Sequence, residues 1–120
     1  MSKILIADDS SFIRLRLQKI LKLRKHDVIE AGSGAEAIKQ FKKEKPDLVL
    51  LDIIMPEGEE EGVSVLKNIM KADPKAQIVM LTAVGYDKIM DECKAIGAKE
   101  YIIKPFNEEE VLEAVDKYLK

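Results

Sequence analysis

The stretch LVLLD, residues 48–52, is a run of four apolar residues that ends in a carboxylate. A second stretch of this kind is KILIADD, residues 3–9, which ends in two carboxylates, Asp8 and Asp9. Short uninterrupted apolar runs are typical of strands that are buried on both faces of a parallel sheet. If the two strands are parallel neighbours, Asp8, Asp9 and Asp52 meet at one edge of that sheet.

Apolar runs and stretches of helical periodicity alternate five times along the chain of 120 residues. We place the strands at about residues 3–7, 28–31, 47–52, 77–82 and 100–103, with a helix after each. The alternation predicts an α/β fold, a single doubly wound (βα)5 domain with five parallel strands. For such a domain we expect the flavodoxin-like strand order 2-1-3-4-5. Ligands of such sheets bind at the carboxyl ends of the strands where the order reverses, and these ends carry the three aspartates.

Polar caps mark the starts of several helices. Ser10 or Ser11 is expected to cap the first helix, and residues 33–36 and 107–110 match or approach the capping-box pattern. The first helix is expected to bury one apolar face, formed by Phe12, Ile13, Leu17, Ile20 and Leu21.

The composition and the hydropathy of the chain argue against a nucleic-acid-binding protein and against a membrane protein. The chain has 20 Lys and Arg against 22 Asp and Glu, so we expect no basic surface for nucleic acid or for an anionic membrane. No apolar segment approaches the roughly 20 residues that span a bilayer. The single cysteine, Cys93, favours a reducing, cytoplasmic setting. The length fits one domain, and we expect residues 1–120 to form it without an output domain.

Three carboxylates within a few ångström of one another repel by roughly 4 kcal/mol per pair at an effective dielectric constant of 20, so they require a cation. A site with oxygen ligands alone suits Mg²⁺. Thr82 and Lys104 end the fourth and fifth strands at the same edge, where a hydroxyl and an ammonium group would suit a tetrahedral dianion. The alternative is structural: Asp8 and Asp9 cap the first helix, and Asp52 ends a strand.

The chain resembles the response-regulator receiver family over its whole length. Five motifs at the family's spacing carry the resemblance: DDS at 8–10, DIIMP at 52–56, LTA at 81–83, GAKEY at 97–101 and KPF at 104–106.

The resemblance implies a phosphoryl-transfer site. Asp52 would accept a phosphoryl group from a phosphohistidine of a histidine kinase. Mg²⁺ would be held by Asp9, Asp52 and the backbone carbonyl of Ile54, with Asp8 bound through water. The chain would not be an enzyme in the ordinary sense, although it would assist its own phosphotransfer and slow autodephosphorylation.

The resemblance also implies a switch. Lys104 would contact the acyl phosphate, while Thr82 and the backbone N–H of Ala83 would hold another of its oxygens. Thr82 would shift and Tyr101 would turn from exposed to buried, which alters the face of the fourth helix, fifth strand and fifth helix. In the family, the Lys104–Pro105 peptide bond is cis.

Two departures from the family pattern concern the surroundings of Asp52. The glycine that usually lies four residues after the MP motif is Gly62 here, two residues late, in an acidic loop over residues 57–62. This loop either alters partner docking or metal affinity, or is solvated without a role. Ile54 and Val84 are apolar where the family's residues flank the attacking water, so we expect a long-lived phosphorylated form.

The leading hypothesis is a stand-alone phosphorylation switch of a two-component system that controls chemotaxis or motility. Its partners would be a histidine kinase, a motility switch or adaptor protein and, as a further candidate, a phosphatase; the unphosphorylated form would be a monomer. The close rival is a phosphorelay intermediate that passes the phosphoryl group to a histidine phosphotransfer protein.

Two other classes share the expected topology. A Mg²⁺-dependent phosphatase with an aspartate nucleophile needs a second carboxylate two residues later, where this chain has Ile54. A flavodoxin-like electron carrier holds a phosphate in its first loop, where Asp8 and Asp9 would repel it.

Overall fold

The computed structural model describes residues 2–119, in which five strands alternate with five helices. The elements in chain order are β1 (Lys3–Ala7), α1 (Ser11–Lys22), β2 (Asp27–Ala31), α2 (Gly34–Glu44), β3 (Leu48–Leu51), α3 (Glu61–Ala72), β4 (Ile78–Thr82), α4 (Asp87–Ile96), β5 (Glu100–Ile103) and α5 (Glu108–Tyr118). The strands form one parallel sheet in the order β2-β1-β3-β4-β5. The predicted fold class and strand order are confirmed. The predicted bounds of β2 and β4 differ from the observed ones by one residue at one end, and those of β3 by one residue at each end.

The apolar runs of the central strands are buried because helices cover both faces of the sheet. Alternate side chains of a strand point to opposite faces. Leu5 and Val49 belong to the cluster that packs against α2, α3 and α4, whereas Ile6 and Leu50 belong to the cluster on the side of α1 and α5. None of the helices within residues 2–119 has the length and apolar character needed to span a membrane.

One prediction about the core is wrong. Phe12 is 73% exposed, although the sequence pattern placed it on the buried face of α1. Leu17 and Leu21 are buried four residues apart, and Ile13 packs against the same cluster. Because an α-helix turns about 100° per residue, Phe12 is rotated away from Ile13 and toward solvent.

The predicted caps are largely confirmed. The Ser10 side chain accepts a hydrogen bond from the backbone N–H of Ile13, and Asn107 with Glu110 forms a complete capping box. At α2 the Ser33 side chain accepts from the backbone N–H of Glu36, but the Glu36 carboxylate accepts from Gly32 rather than from Ser33. The pattern at residues 33–36 therefore forms only half of a capping box.

The register of the strands determines where the polar side chains emerge. Ala7 pairs with Leu51, and Thr82 pairs with Ile103. Asp8 and Asp52 each follow a member of the first pair, and Lys104 follows Ile103. Since the strands are parallel, all of these residues lie at the carboxyl edge of the sheet.

The acidic loop after β3 returns the chain to the end of that strand. Met55 and Gly58 exchange backbone hydrogen bonds of 3.1 and 3.0 Å, which close a tight turn. The Gly62 N–H then donates to the Ile53 carbonyl at 2.7 Å. A Cβ on Gly62 would lie 2.1 Å from the Asp52 carbonyl oxygen and 2.3 Å from the Ile53 Cα, so only glycine fits. Gly62 therefore lies directly against the backbone at the end of β3.

Because Gly62 lies against the backbone of Asp52 and Ile53, any side chain at this position should destabilise the fold. Gly62→Ala should lower the free energy of unfolding by about 3 kcal/mol, the upper end of ordinary overpacking, because the atoms in the way are backbone. Urea unfolding followed by circular dichroism measures the change. Gly58→Ala is the matched control, since its Cβ would meet nothing within 4 Å, and it should stay within about 0.5 kcal/mol of wild type. Equal stabilities of the two variants would contradict the close approach.

Candidate functional site

Three carboxylates come together at the carboxyl edge of the sheet. Asp8, Asp9 and Asp52 each offer an oxygen, and these oxygens lie within 4.8 Å of one another. Asp8 and Asp52 are only 2% and 5% exposed, whereas Asp9 is exposed. The predicted meeting of the three acids is confirmed, and the cluster is open to solvent on the Asp9 side.

Lys104 supplies positive charge to the two buried acids. Its Nζ donates to Asp8 Oδ2 at 2.6 Å and to Asp52 Oδ2 at 3.1 Å. Burial works to lower the pKa of Lys104, but the hydrogen bonds and negative charges of Asp8 and Asp52 outweigh it, and the pKa lies above its ordinary value. The ammonium group therefore stays charged between the two carboxylates.

Asp8 also accepts a hydrogen bond within its own loop. Its Oδ1 accepts from the backbone N–H of Ser10 at 2.9 Å, which is the bond of an Asx-turn. Burial raises the pKa of Asp8 above its usual value, although the hydrogen bonds from Lys104 and Ser10 act in the opposite direction. The buried carboxylate is thus destabilised as an anion, which favours association with a cation.

The sequence reasoning missed one residue that supports this loop. Arg14 Nη1 donates to the backbone carbonyl of Asp8 at 2.6 Å, and its Nε donates to Glu30 Oε1 at 2.9 Å. The arginine thereby ties the β1–α1 loop to β2. The charges of Arg14 and Glu30 are visible in the sequence, but no local pattern indicates that they pair across 16 positions.

Asp52 lies beside a backbone segment with a free acceptor. Its Oδ1 accepts from the N–H of Ile54 at 3.3 Å. The carbonyls of Ile53 and Met55 are occupied by Gly62 and Gly58, while that of Ile54 accepts no hydrogen bond from residues 2–119. This carbonyl is therefore available for an external ligand.

Thr82 and Tyr101 both bond to Val84, in the segment that follows β4. Thr82 is fully buried, and its Oγ1 accepts from the Val84 N–H at 3.3 Å. The half-buried Tyr101 donates its hydroxyl hydrogen to the Val84 carbonyl. Burial raises the pKa of Tyr101 to about 12, so the hydroxyl is a neutral donor near neutral pH. Ala83, which lies between Thr82 and Val84 in the sequence, is exposed.

The donor set fits a hard divalent cation. Carboxylate oxygens and a free backbone carbonyl are the ligands that Mg²⁺ and Ca²⁺ prefer, and Asp8, Asp9 and Asp52 contribute no sulfur or imidazole. Thr82 and Lys104 flank Asp52 at the same sheet edge. Chemically, the arrangement combines a buried carboxylate, a cation site and a fixed ammonium group, a set of groups that is suited to phosphoryl transfer. The Lys104–Pro105 peptide bond is cis, as expected.

The sequence is similar to those of known proteins. A model of the response regulator receiver domain matches residues 4–116. Chemotaxis protein CheY of Bacillus subtilis is 41% identical over 118 residues, which cover 98% of this chain and 97% of that protein. Sporulation initiation phosphotransferase F of Bacillus subtilis is 36% identical over 117 residues, which cover 98% of this chain and 93% of that protein.

A solved structure shows the same architecture. A chain of the CheX-CheY-BeF3-Mg+2 complex from Borrelia burgdorferi superposes with a TM-score of 0.90 at 34% identity, covering 98% of this chain and 90% of that chain.

The crowding of negative charge predicts that removing one exposed acid stabilises the metal-free protein. In the presence of a chelator, Asp9→Asn should raise the free energy of unfolding by about 1 kcal/mol, the Coulomb energy of two unit charges about 4 Å apart in water. Urea unfolding at low ionic strength measures this change in the free energy of unfolding. Asp91→Asn, an exposed acid on α4 outside the cluster, should change stability by less than about 0.5 kcal/mol. A destabilised Asp9→Asn would show that the three acids do not repel each other.

Proposed function

The chain belongs to the response regulator receiver family, and from this premise we propose that it is a phosphorylation-dependent switch of a two-component system with Asp52 as phosphoryl acceptor. One observation carries the proposal: Asp52 shares the ammonium group of Lys104 with Asp8, within a cluster of three acids. An aspartate nucleophile needs this kind of charge compensation to approach a phosphoryl dianion.

The transfer follows from the positions of these groups. A carboxylate oxygen of Asp52 attacks the phosphorus of a phosphohistidine, a new P–O bond forms, and the P–N bond breaks as the imidazole leaves. Lys104, 3.1 Å from Asp52 Oδ2, neutralises charge on the phosphoryl oxygens. Thr82 and the backbone N–H of Ala83 hold a further oxygen. The protein's contribution is positioning and electrostatic stabilisation, as is usual for phosphoryl transfer.

Mg²⁺ is the proposed cofactor. Asp9, Asp52 and the Ile54 carbonyl would hold it directly, and Asp8 would do so through water. The oxygen-only donor set supports this choice, and the Borrelia burgdorferi complex contains Mg²⁺ together with BeF3. The ion, when bound, supplies charge neutralisation between the carboxylates and the phosphoryl oxygens.

Thr82, Val84 and Tyr101 form the proposed switch. Because the N–H of Val84 is bonded to Thr82 and its carbonyl to Tyr101, a shift of Thr82 toward a phosphoryl group disturbs both bonds. Tyr101 would then change its packing. A second hydrogen-bond arrangement of this segment in the phosphorylated form would provide the bistable element that a signalling switch requires.

The output surface is the face formed by α4, β5 and α5, next to Tyr101. A groove of about 280 Å³ runs between β5 and α5, and its charged lining consists of Glu100, Glu110, Glu113 and Lys117. We infer that this receiver domain acts in the cytoplasm and binds a motility switch or adaptor protein through this face. The similarity to chemotaxis protein CheY supports the chemotaxis role. A histidine kinase would supply the phosphoryl group, and a phosphatase would remove it.

A phosphorelay intermediate is the second candidate function, favoured by the similarity to sporulation initiation phosphotransferase F. Such a protein passes its phosphoryl group from aspartate to another histidine. Titration of the phosphorylated protein against motor components and against histidine phosphotransfer proteins distinguishes the two roles.

A hydrolase is disfavoured, because the position two residues after Asp52 holds Ile54, which carries no acid or base.

The proposed acceptor predicts an adduct that depends on Asp52. Wild type should bind beryllofluoride in the presence of Mg²⁺, because the adduct occupies the same positions as a phosphoryl group, and should gain one phosphoryl group from acetyl phosphate. ¹⁹F NMR and intact-protein mass spectrometry measure the two reactions. Asp52→Asn should form neither adduct, while Asp91→Asn should behave as wild type. Uptake of a phosphoryl group by Asp52→Asn, or none by wild type, would overturn the assignment.

The apolar side chain of Ile54 predicts a slow loss of the phosphoryl group. Ile54 is 39% exposed beside Asp52, where it cannot orient a water molecule by hydrogen bonding. Ile54→Asn should therefore dephosphorylate several-fold faster than wild type, because the amide can position the attacking water. The decay of phosphorylated protein after removal of acetyl phosphate gives the rate. Ile54→Leu keeps an apolar side chain and should match wild type; equal rates in all three proteins would contradict the idea.

A further inference from the structure

Glu57 connects the loop after β3 to the start of α2. Its Oε1 accepts from the backbone N–H of Gly34 at 3.0 Å, and its Oε2 accepts from that of Ala35 at 2.9 Å. The first N–H groups of a helix have no partner within the helix, and its amino end attracts negative charge. The two hydrogen bonds, first that of Ala35 and then that of Gly34, lower the pKa of Glu57 below its usual value.

Two further contacts hold the same loop. Met55 and Gly58 bond to each other in both directions, and the Gly62 N–H bonds to the Ile53 carbonyl. The backbone on both sides of Ile54 is thus occupied by hydrogen bonds, and Glu57 ties the turn that follows to a neighbouring helix. The Ile54 carbonyl, which accepts no bond from residues 2–119, lies in the middle of this restrained segment.

We propose that Glu57 is a positioning residue that anchors the β3–α3 loop on α2 and thereby holds the Ile54 carbonyl in the orientation that coordinates the cation. The inference rests on the proposed function, since it assigns a role toward the same metal site. Glu57 itself is three residues from Ile54 and binds α2 rather than the acidic cluster. The acidic loop therefore acts on metal affinity through its first glutamate. Glu59, an exposed glutamate of the same loop, serves as the comparison.

The alternative role for Glu57 is to stabilise α2 only. Ser33 already caps this helix, so the loss of Glu57 leaves one cap in place. A purely structural role would change the free energy of unfolding without changing the affinity for a cation in the folded protein. A positioning role would change the affinity itself, because a mobile carbonyl loses entropy when it coordinates the ion.

The test compares Mg²⁺ affinity in matched variants. Glu57→Gln removes the charge and one acceptor, and Glu57→Asp keeps the charge but shortens the reach to α2. Isothermal titration calorimetry with Mg²⁺ alone should give a Kd roughly tenfold weaker than wild type for both, in the range usual for residues that orient metal ligands. Glu59→Gln removes the same charge from the same loop and should change Kd less than twofold.

A second measurement follows the carbonyl directly. In wild type and Glu59→Gln, saturating Mg²⁺ should shift the ¹³C′ resonance of Ile54, and in Glu57→Gln this shift should be reduced at equal saturation. Circular dichroism verifies that each variant is folded, and urea unfolding in chelator records stability separately from affinity.

The outcomes separate this inference from the function on which it rests. If wild type binds Mg²⁺ and Asp9→Asn weakens binding, while both Glu57 variants bind as Glu59→Gln does, the positioning role is overturned and the proposed function stands. Equal weakening in Glu57→Gln and Glu59→Gln also overturns it, because the effect would then be one of net charge. Absence of Mg²⁺ binding by wild type would overturn the proposed function and this inference together.

Discussion

The ion pairs of Lys104 with Asp8 and Asp52 are the interaction on which the rest of the structure depends. Two carboxylates that are nearly inaccessible to water lie at the ends of neighbouring strands, where their repulsion would oppose pairing of β1 with β3. The ammonium group reaches both of them from the end of β5, at the edge of the sheet. Removing one partner of a buried ion pair leaves an uncompensated charge, typically at a cost of about 3–5 kcal/mol, so the ends of β1 and β3 depend on the ammonium group of Lys104 once both acids are buried.

One ammonium group does not neutralise three acids. The raised pKa of Asp8 shows that burial works against its charged form, and the raised pKa of Lys104 shows that the acids hold its proton. The remaining negative charge is concentrated on the side where Asp9 is exposed. The same imbalance that costs stability in the metal-free protein therefore creates the affinity for a divalent cation, and folding stability is partly given up for function.

Support for this site comes from three long-range contacts around its backbone. Arg14 holds the carbonyl of Asp8, Gly62 packs against the carbonyl of Asp52, and Glu57 fixes the loop that contains Ile54. The first two contacts act directly on the main chain of a proposed metal ligand, and Glu57 acts on the Ile54 segment indirectly, through the loop that it anchors on α2. The proposed chemistry requires atoms held within a fraction of an ångström, which backbone anchoring achieves more directly than side-chain packing.

The sequence by itself determined the fold class and the meeting of the acids with Lys104, because these follow from apolar runs and from the residues that end them. The strand order is the common one for such sheets, and the structure has it. The roles assigned to these residues in phosphoryl transfer remain predictions. The tertiary structure alone decided that Phe12 faces solvent, that Arg14 reaches Glu30 and that Glu57 caps α2. Burial periodicity and strand ends are local properties of a chain, whereas partners 16 or 23 positions apart are chosen by how helices and loops pack, which no short stretch of sequence encodes.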